Sequence, residues 1–425
     1  MFKINKITLP NKARLMVVPM KSTEAVTVII MARAGSRYET RDINGIAHFL
    51  EHMFFKGGER YPTPRSVAEA IDSVGGTFNA FTGEEYVGYY VKVAKEKIEL
   101  AFDVLSDMLL NAKFDAEALN RERGVILEEY NMYEDTPIAL IHDLFTQVLF
   151  GDQPLGWPII GKKPVINSVK RKDFIAYQDR YYTASNIVVS VAGNTTLTEV
   201  KKLAKKYLPF KKSGKKNLPL PYSTARSKPG KKIKIIHKKT EQAHFQLGVP
   251  LFGALHPDRY VSTVLAVILG GGMSSRLFTS IRERQGLAYY VGASADHYTD
   301  TGYFVVRAGV TVSKIDLAIK TVLDEFKEIS TELVTQKELK KAKENMIGTM
   351  VLRIESSDAV ATGVASMELL FDKIETISEI KRKIRAVTAK QVQNLAKRIF
   401  KDNKLALVVI GPYKNDKNIK TAFNL

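Results

Sequence analysis

The sequence predicts an α+β fold of two structurally similar domains, each a mostly antiparallel sheet with helices packed on one face. Three observations carry this reading. Runs of strands are interrupted by clusters of amphipathic helices. A stretch rich in proline, glycine, serine and lysine, with no helical or strand period, lies near mid-chain. The segments on either side of it begin and end alike. At 425 residues the chain has room for two or three domains with cores of their own. Hydrophobic residues at 45% and charged residues at 26% are ordinary globular proportions and argue against extensive disorder.

Taken in order, "ITLPNKARLMVVPM" and "AVTVIIMARAGSR" read as strand, turn, strand. A helix follows in "NGIAHFLEHMFFKGG", with Asn44 as the expected N-cap and Gly57 and Gly58 as stop signals. Amphipathic helices are expected at 64–74 and 95–111, and the segment "GTFNAFTGEEYVGYY" alternates like a strand. Residues 117–137 read as a further helix, and the half closes with "NIVVSVAGNTTLTEVKKLAKKY", a strand, a glycine turn and a helix. The predicted division is therefore residues 1–210, a linker at 211–232, and residues 233–425. The second half opens with "KIKIIHKKTEQAHFQLGVPL", again strand, turn, strand. It carries a helix at 314–329 and closes on the apolar strand of "KLALVVIGPYKNDKNI".

Composition excludes several kinds of chemistry. There is no cysteine, so disulfides, thiolate metal sites and cysteine nucleophiles are absent. No run of about 20 apolar residues is present, and residues 1–9 already alternate as a strand, so a cytoplasmic protein with no membrane association is expected. The net charge of +19 is spread over helix faces and the linker, which points to solvated surface and not to nucleic acid. "GGGMSSR" lacks the G-K-S/T of a phosphate loop.

The chemistry concentrates in "HFLEHMFFKG". His48 and His52 are four residues apart, about 40° apart in helical projection, so both imidazoles reach one side of a helix. Glu51 shares that face and is placed to act on a water beside a metal. The order H-x-x-E-H is the inverted form of a zinc-binding helix motif. Without cysteine the third ligand must come from elsewhere, and two imidazoles with one carboxylate make a neutral zinc site that keeps an open position. In "EALNRERGVILEEYNMYEDTP" Glu122 and Glu129 are seven residues apart and project within about 20° of each other, while Glu128 falls off that face. Glu129 is thus the expected third ligand, and Glu122 a carboxylate that orients a ligating histidine.

These residues resemble the pitrilysin-type, or inverzincin, metallopeptidases, and more closely the single-unit branch that includes the mitochondrial processing peptidase subunits and bacterial relatives. The family pattern joins the inverted motif to a distant segment like E-R-x-x-x-x-x-E. Here Glu122-Arg123 opens that segment and Glu129 closes it, 77 residues after His52. "VGGTFNAFTGEEYVGYY" and "GGGMSSRLFTSIRERQGLAYYVGAS" are also similar to family segments, so the resemblance covers most of the chain; Val87, where relatives often carry threonine, is one departure. The resemblance implies a zinc endopeptidase acting on peptides or unfolded polypeptide, with Glu51 as general base. It marks Arg282 and Tyr289 as substrate-contacting, with Tyr290 the alternative, and singles out Asn79 and Ala80 for peptide binding, in a segment that on sequence alone reads equally as an exposed strand edge or a fully paired interior strand. It further implies association as a homodimer, a heterodimer being the other arrangement. The rival expectation is a non-catalytic subunit, against which the intact Glu51 speaks.

Overall fold

The computed structural model describes residues 3–210, 215–415 and 417–425. Two compact units emerge. Unit 1 comprises residues 1–131, 158–220 and 351–375, and unit 2 comprises 132–157, 221–350 and 376–425.

Unit 1 is built on a six-stranded sheet of β1 (Asn5–Thr8), β2 (Arg14–Pro19), β3 (Ala25–Ala32), β4 (Thr77–Thr82), β5 (Val87–Ala94) and β6 (Ile187–Gly193). The order is β1-β2-β6-β3-β5-β4, antiparallel except for the β2–β6 pair. Its main helical layer includes α1 (Ile46–Phe54), α2 (Pro64–Asp72), α3 (Ile98–Leu110) and α4 (Ala116–Asp135). Unit 2 repeats the plan with β7 (Lys232–His237), β8 (Gln242–Phe252), β9 (Ala288–His297), β10 (Thr301–Thr311) and β11 (Ala406–Gly411) in the order β7-β11-β8-β10-β9. Here the β7–β11 pair is the parallel one. Strand for strand, β2-β6-β3-β5-β4 matches β7-β11-β8-β10-β9, so the two similar domains read from the sequence are present as two mostly antiparallel sheets.

One feature of these strands needs a second layer to explain it. β6, "IVVSVAG", and β11, "ALVVIG", are buried along their whole length. An antiparallel strand with a wet face would alternate, whereas a run apolar on both sides needs cover on both. In unit 1, Val26, Val28 and Ile30 face the helical layer that holds α1 and α3. Ile29 and Met31 point the other way, onto Val360, Ala361, Val364, Ala365 and Leu369 of helix Ser357–Phe371. In unit 2, Phe245, Leu247 and Val249 face the main layer. On the other side, Val305, Val408 and Ile410 meet Ile141, Phe145 and Leu149 of helix Pro137–Phe150. Helices therefore do gather on one face, and among the described residues a further helix covers the opposite face of each sheet.

That further helix comes in each case from the other half of the sequence. The expected halves 1–210 and 233–425 thus exchange one segment each, 132–157 for 351–375. Of the expected linker at 211–232, residues 211–214 lie outside the described residues, and the unit boundary falls between Leu220 and Pro221. The helix Ser357–Phe371 is latched at its C-terminal end by two arginines. Arg14 Nη1 donates to the Glu368 carbonyl at 3.1 Å and to Asp372 Oδ1 at 2.7 Å, and Arg33 Nη2 donates to the Leu369 carbonyl. Cations suit these carbonyls because they carry the negative end of the helix dipole.

Candidate metal centre

α1 is held by its apolar side. Ile46, Ala47, Phe49, Leu50, Met53 and Phe54 are buried, and Phe49 and Phe54 meet Phe174, Tyr89, Phe114 and Tyr182 edge-on or tilted. Burial of each large side chain stabilises by about 1.5–3 kcal/mol, which fixes the rotation of the helix about its axis. His48, Glu51 and His52 are left on the remaining face. The N-terminus differs from expectation. The N-cap is Gly45 at φ +102°, and no side chain on the N-cap itself accepts a hydrogen bond. A Cβ on Gly45 would stand 2.5 Å from the Ile160 carbonyl oxygen, so only glycine fits there. Asn44 instead turns its amide to Glu39 Oε2 at 2.9 Å and to the Pro158 carbonyl at 3.2 Å.

α4 brings its carboxylates to this face. One ligand atom from each of His48, His52 and Glu129 lies within 4.8 Å of the others. His48 Nε2 is 3.7 Å from Glu129 Oε1, and His52 Nε2 is 3.5 Å from Glu129 Oε2. A tetrahedral zinc with bonds of about 2.0–2.1 Å requires ligand atoms roughly 3.3–3.4 Å apart, so the two histidine–carboxylate distances are near that spacing and the set as a whole would draw in from 4.8 Å to hold such an ion. Glu122 Oε1 lies 2.8 Å from His52 Nδ1, and its other oxygen is 2.6 Å from Lys56 Nζ. A carboxylate at Nδ1 keeps the proton on that nitrogen and leaves the Nε2 lone pair turned to Glu129. Thr82, at the end of β4, donates its hydroxyl to Glu51 Oε2.

The electrostatics agree with a cation site. Burial, reinforced by His52, pushes His48 down to about 3, so its imidazole is neutral and free to coordinate at neutral pH. Burial raises Glu51, with the Thr82 hydrogen bond opposing it, and burial likewise raises Glu129. Glu122 behaves differently. Burial would raise it, but the hydrogen bonds from His52 and Lys56 outweigh that and hold it below the usual range. Burial thus disfavours the charged form of two carboxylates beside the neutral His48 imidazole, and a divalent cation there would favour the ionised carboxylates.

The segment that holds these residues matches known proteins. The sequence profile of the insulinase family (peptidase family M16) matches residues 15–163, and that of the peptidase M16 inactive domain matches residues 168–346. A Bacillus subtilis protein described as "Uncharacterized zinc protease YmxG" is 36% identical over 97% of this chain and 99% of its own. The chain belongs to peptidase family M16. A Streptomyces coelicolor protein, also described as an uncharacterized zinc protease, is 34% identical over 97% of this chain and 90% of its own. The crystal structure of a protease from Helicobacter pylori superposes with a TM-score of 0.91 at 24% identity, covering 97% of this chain and all of that one, which shows the shared fold.

The first M16 match holds β3, β4, β5 and α1 of unit 1, and the second takes in β6 of unit 1 together with β7 to β10 of unit 2. In unit 2 the place of α1, directly after the strand at the same sheet position, is taken by helix Arg259–Gly270, "RYVSTVLAVILG", which has no histidine or carboxylate. The remaining expected residues fall in both units. Asn79 and Ala80 lie on β4, the edge strand of unit 1, which ends at the Thr82 that contacts Glu51. The Ala80 N–H is taken by Asn79 Oδ1 at 2.8 Å. The expected single strand at 76–90 is a hairpin, β4 and β5, because the chain turns at Gly83–Tyr86. In unit 2, Arg282 Nη1 donates to the Tyr289 carbonyl at 2.8 Å, and its guanidinium stands 5.0 Å from the Phe278 ring centre. Tyr289 is 73% exposed, whereas the alternative Tyr290 is half-buried and hydrogen-bonded to His244 Nδ1 at 3.1 Å.

Four further residues shape this M16 site, and three of them carry no sequence signal of their own. Glu39, Lys56 and Thr82 are named above. The fourth is Asp107 of α3, fully buried, whose carboxylate accepts the N–H groups of Glu59, Arg60 and Tyr61 and so holds the chain just beyond α1. Only Lys56, four residues after His52 on the same helical turn sequence, has a spacing that helical periodicity would have picked out.

Proposed function

We propose that this M16 chain is a zinc-dependent endopeptidase that hydrolyses peptides or unfolded protein segments, with Glu51 as general base. The observation that carries the reading is the convergence of His48, His52 and Glu129 around one point with a half-buried carboxylate, Glu51, on the same helix face. Zinc held by these three residues supplies Lewis acidity to the scissile carbonyl and to the water that attacks it. Glu51 takes the proton of that water on a carboxylate oxygen and returns it to the leaving amine. The Thr82 hydroxyl fixes the other end of the exchange by holding Glu51 Oε2. Glu122 keeps His52 in the tautomer that presents Nε2.

Substrate is bound in extended form on the open edge of β4, displacing Asn79 Oδ1 from the Ala80 N–H to reach the main chain. Arg282 and Tyr289 contact the substrate carbonyl, the arginine as a fixed fork of donors and the tyrosine through its exposed hydroxyl. The resemblance of the chain to short family members supports a homodimer, which light scattering of the purified protein would check. A cytoplasmic location belongs to this reading, and among the described residues no helix is long and apolar enough to cross a membrane.

The test is Glu51→Gln beside wild type, with bound zinc and cleavage of an unstructured peptide both measured. The variant is expected to keep its zinc and to lose on the order of 10²- to 10⁴-fold in kcat/KM. Cleavage at the wild-type rate by a zinc-loaded variant would refute the assignment. Indifference of the wild type to a strong chelator would remove the metal from the mechanism altogether.

A further inference from the structure

The two histidines of α1 owe their positions to different devices. His52 is oriented through its ring, by the 2.8 Å bond from Nδ1 to Glu122. His48 has no such partner: its Nδ1 is buried and makes no hydrogen bond among the described residues. Its ring is therefore placed by packing and by the backbone it hangs from, and that backbone is the first turn of α1, which begins at Ile46.

A first helical turn carries N–H groups with no partner inside the helix, and a side chain at the N-cap ordinarily satisfies one of them. Here the N-cap is a glycine with nothing to offer. Glu39, outside the helix, does the work with both oxygens. Oε2 accepts the Gly45 N–H at 2.8 Å, and Oε1 accepts the Ala47 N–H at 2.8 Å. The Asn44 amide adds a third donor at 2.9 Å. Glu39 is 1% exposed, and no cation pairs with it among the described residues. A buried carboxylate without a counter-charge is costly. This one sits at the positive end of the helix dipole, on the residue immediately before His48.

We infer that Glu39 is a positioning residue of the metal centre, fixing His48 through the Gly45 and Ala47 backbone as Glu122 fixes His52 through its ring. The inference rests on the reading of His48, His52 and Glu129 as metal ligands. It divides the preorganisation of the site between two carboxylates from different parts of the chain, each serving one histidine. It also sets Glu39 apart from a general helix cap, because a cap that only stabilised α1 would serve both histidines alike.

That difference is measurable in the full chain. Zinc affinity is determined by competition with a chromophoric chelator for wild type, His48→Ala and His52→Ala, each with and without Glu39→Gln and Glu39→Ala. Loss of Glu39 is expected to weaken zinc binding about 10- to 100-fold in wild type and in His52→Ala. In His48→Ala, where there is no ring left for Glu39 to position, the loss should shrink to about twofold or less. Glu39→Gln retains one acceptor oxygen, so it should lose less than Glu39→Ala; should Glu39→Ala not fold, the glutamine series carries the same comparison. Equal losses in the two histidine backgrounds, or none in wild type, would overturn the inference.

Absence of zinc binding by wild type would instead remove the ligand reading, and hydrogen exchange of the metal-free protein then decides the role of Glu39. Glu39→Gln should speed exchange at Gly45, Ala47 and His48 and leave Met53 and Phe54 unchanged. Faster exchange along the whole helix, or none anywhere, would overturn the positioning role.

Discussion

Replacing Glu122 by glutamine changes one atom of the site and exposes how much its charge contributes. The side chain is nearly buried, and it joins two partners, His52 Nδ1 at 2.8 Å and Lys56 Nζ at 2.6 Å. Glutamine keeps the shape and one acceptor for His52 Nδ1. It removes the negative charge that makes the imidazole a stronger ligand, and it leaves Lys56 as an uncompensated cation beside a site meant for another cation. Partners of this kind are worth about 10- to 100-fold in metal affinity, which is roughly 1.4–2.7 kcal/mol of binding free energy. Zinc competition with a chromophoric chelator reads the change directly. The two contributions separate in a second variant: Glu122→Gln with Lys56→Met removes the stranded cation and should recover part of the loss, leaving only the weakened His52. Affinity within about twofold of wild type for Glu122→Gln would refute the reasoning, because it would mean that His52 needs no partner to hold its tautomer. A double variant weaker than the single one would refute the role given to Lys56.

Two further outcomes are expected. Burial pushes Glu39 up to about 7 against the opposing pull of the Ala47, Gly45 and Asn44 donors, from an ordinary value of 4.5. The folded metal-free protein therefore holds this proton more tightly than the unfolded chain, and the resulting stability is full below about pH 4.5 and is lost as pH rises through about 7. The phenols that face it, Tyr177 and Tyr181, are raised by burial and stay neutral across that window. Relative to Glu39→Gln, wild type should lose on the order of 3 kcal/mol over this range in urea unfolding, and a pH-independent difference would show that Glu39 does not titrate there. Leu369→Ala removes a fully buried side chain of the exchanged helix from its packing against Ile29 and Met31. It should destabilise unit 1 by about 2–5 kcal/mol and release hydrogen-exchange protection over residues 357–371, and full retention of that protection would argue against the helix as a structural layer of the unit.

Much of the centre was legible because it is local. His48, Glu51 and His52 lie within two turns of one helix, and Glu122 and Glu129 lie seven residues apart on another, so the helical period alone puts each group on one face. Asn44 shows where the local rule stops: it has the right side chain for an N-cap, and the chain gives it to Glu39 and Pro158 instead. The cap that does operate comes from a residue in an extended segment, with no period linking it to α1.

The same division runs through the fold. Alternation and apolar runs determined the strands, the helices and the repetition of one plan in two halves, since each depends on residues within a few positions of one another. The fully apolar β6 and β11 also carried, within the sequence, the requirement that both faces of each sheet be covered. What covers them was decided only in three dimensions. Helices Pro137–Phe150 and Ser357–Phe371 are amphipathic segments like the others, and nothing in their own pattern assigns them to one sheet or the other. Burial is non-directional and indifferent to chain distance, so tertiary packing chose the exchange, as it chose Glu39 for the first turn of α1.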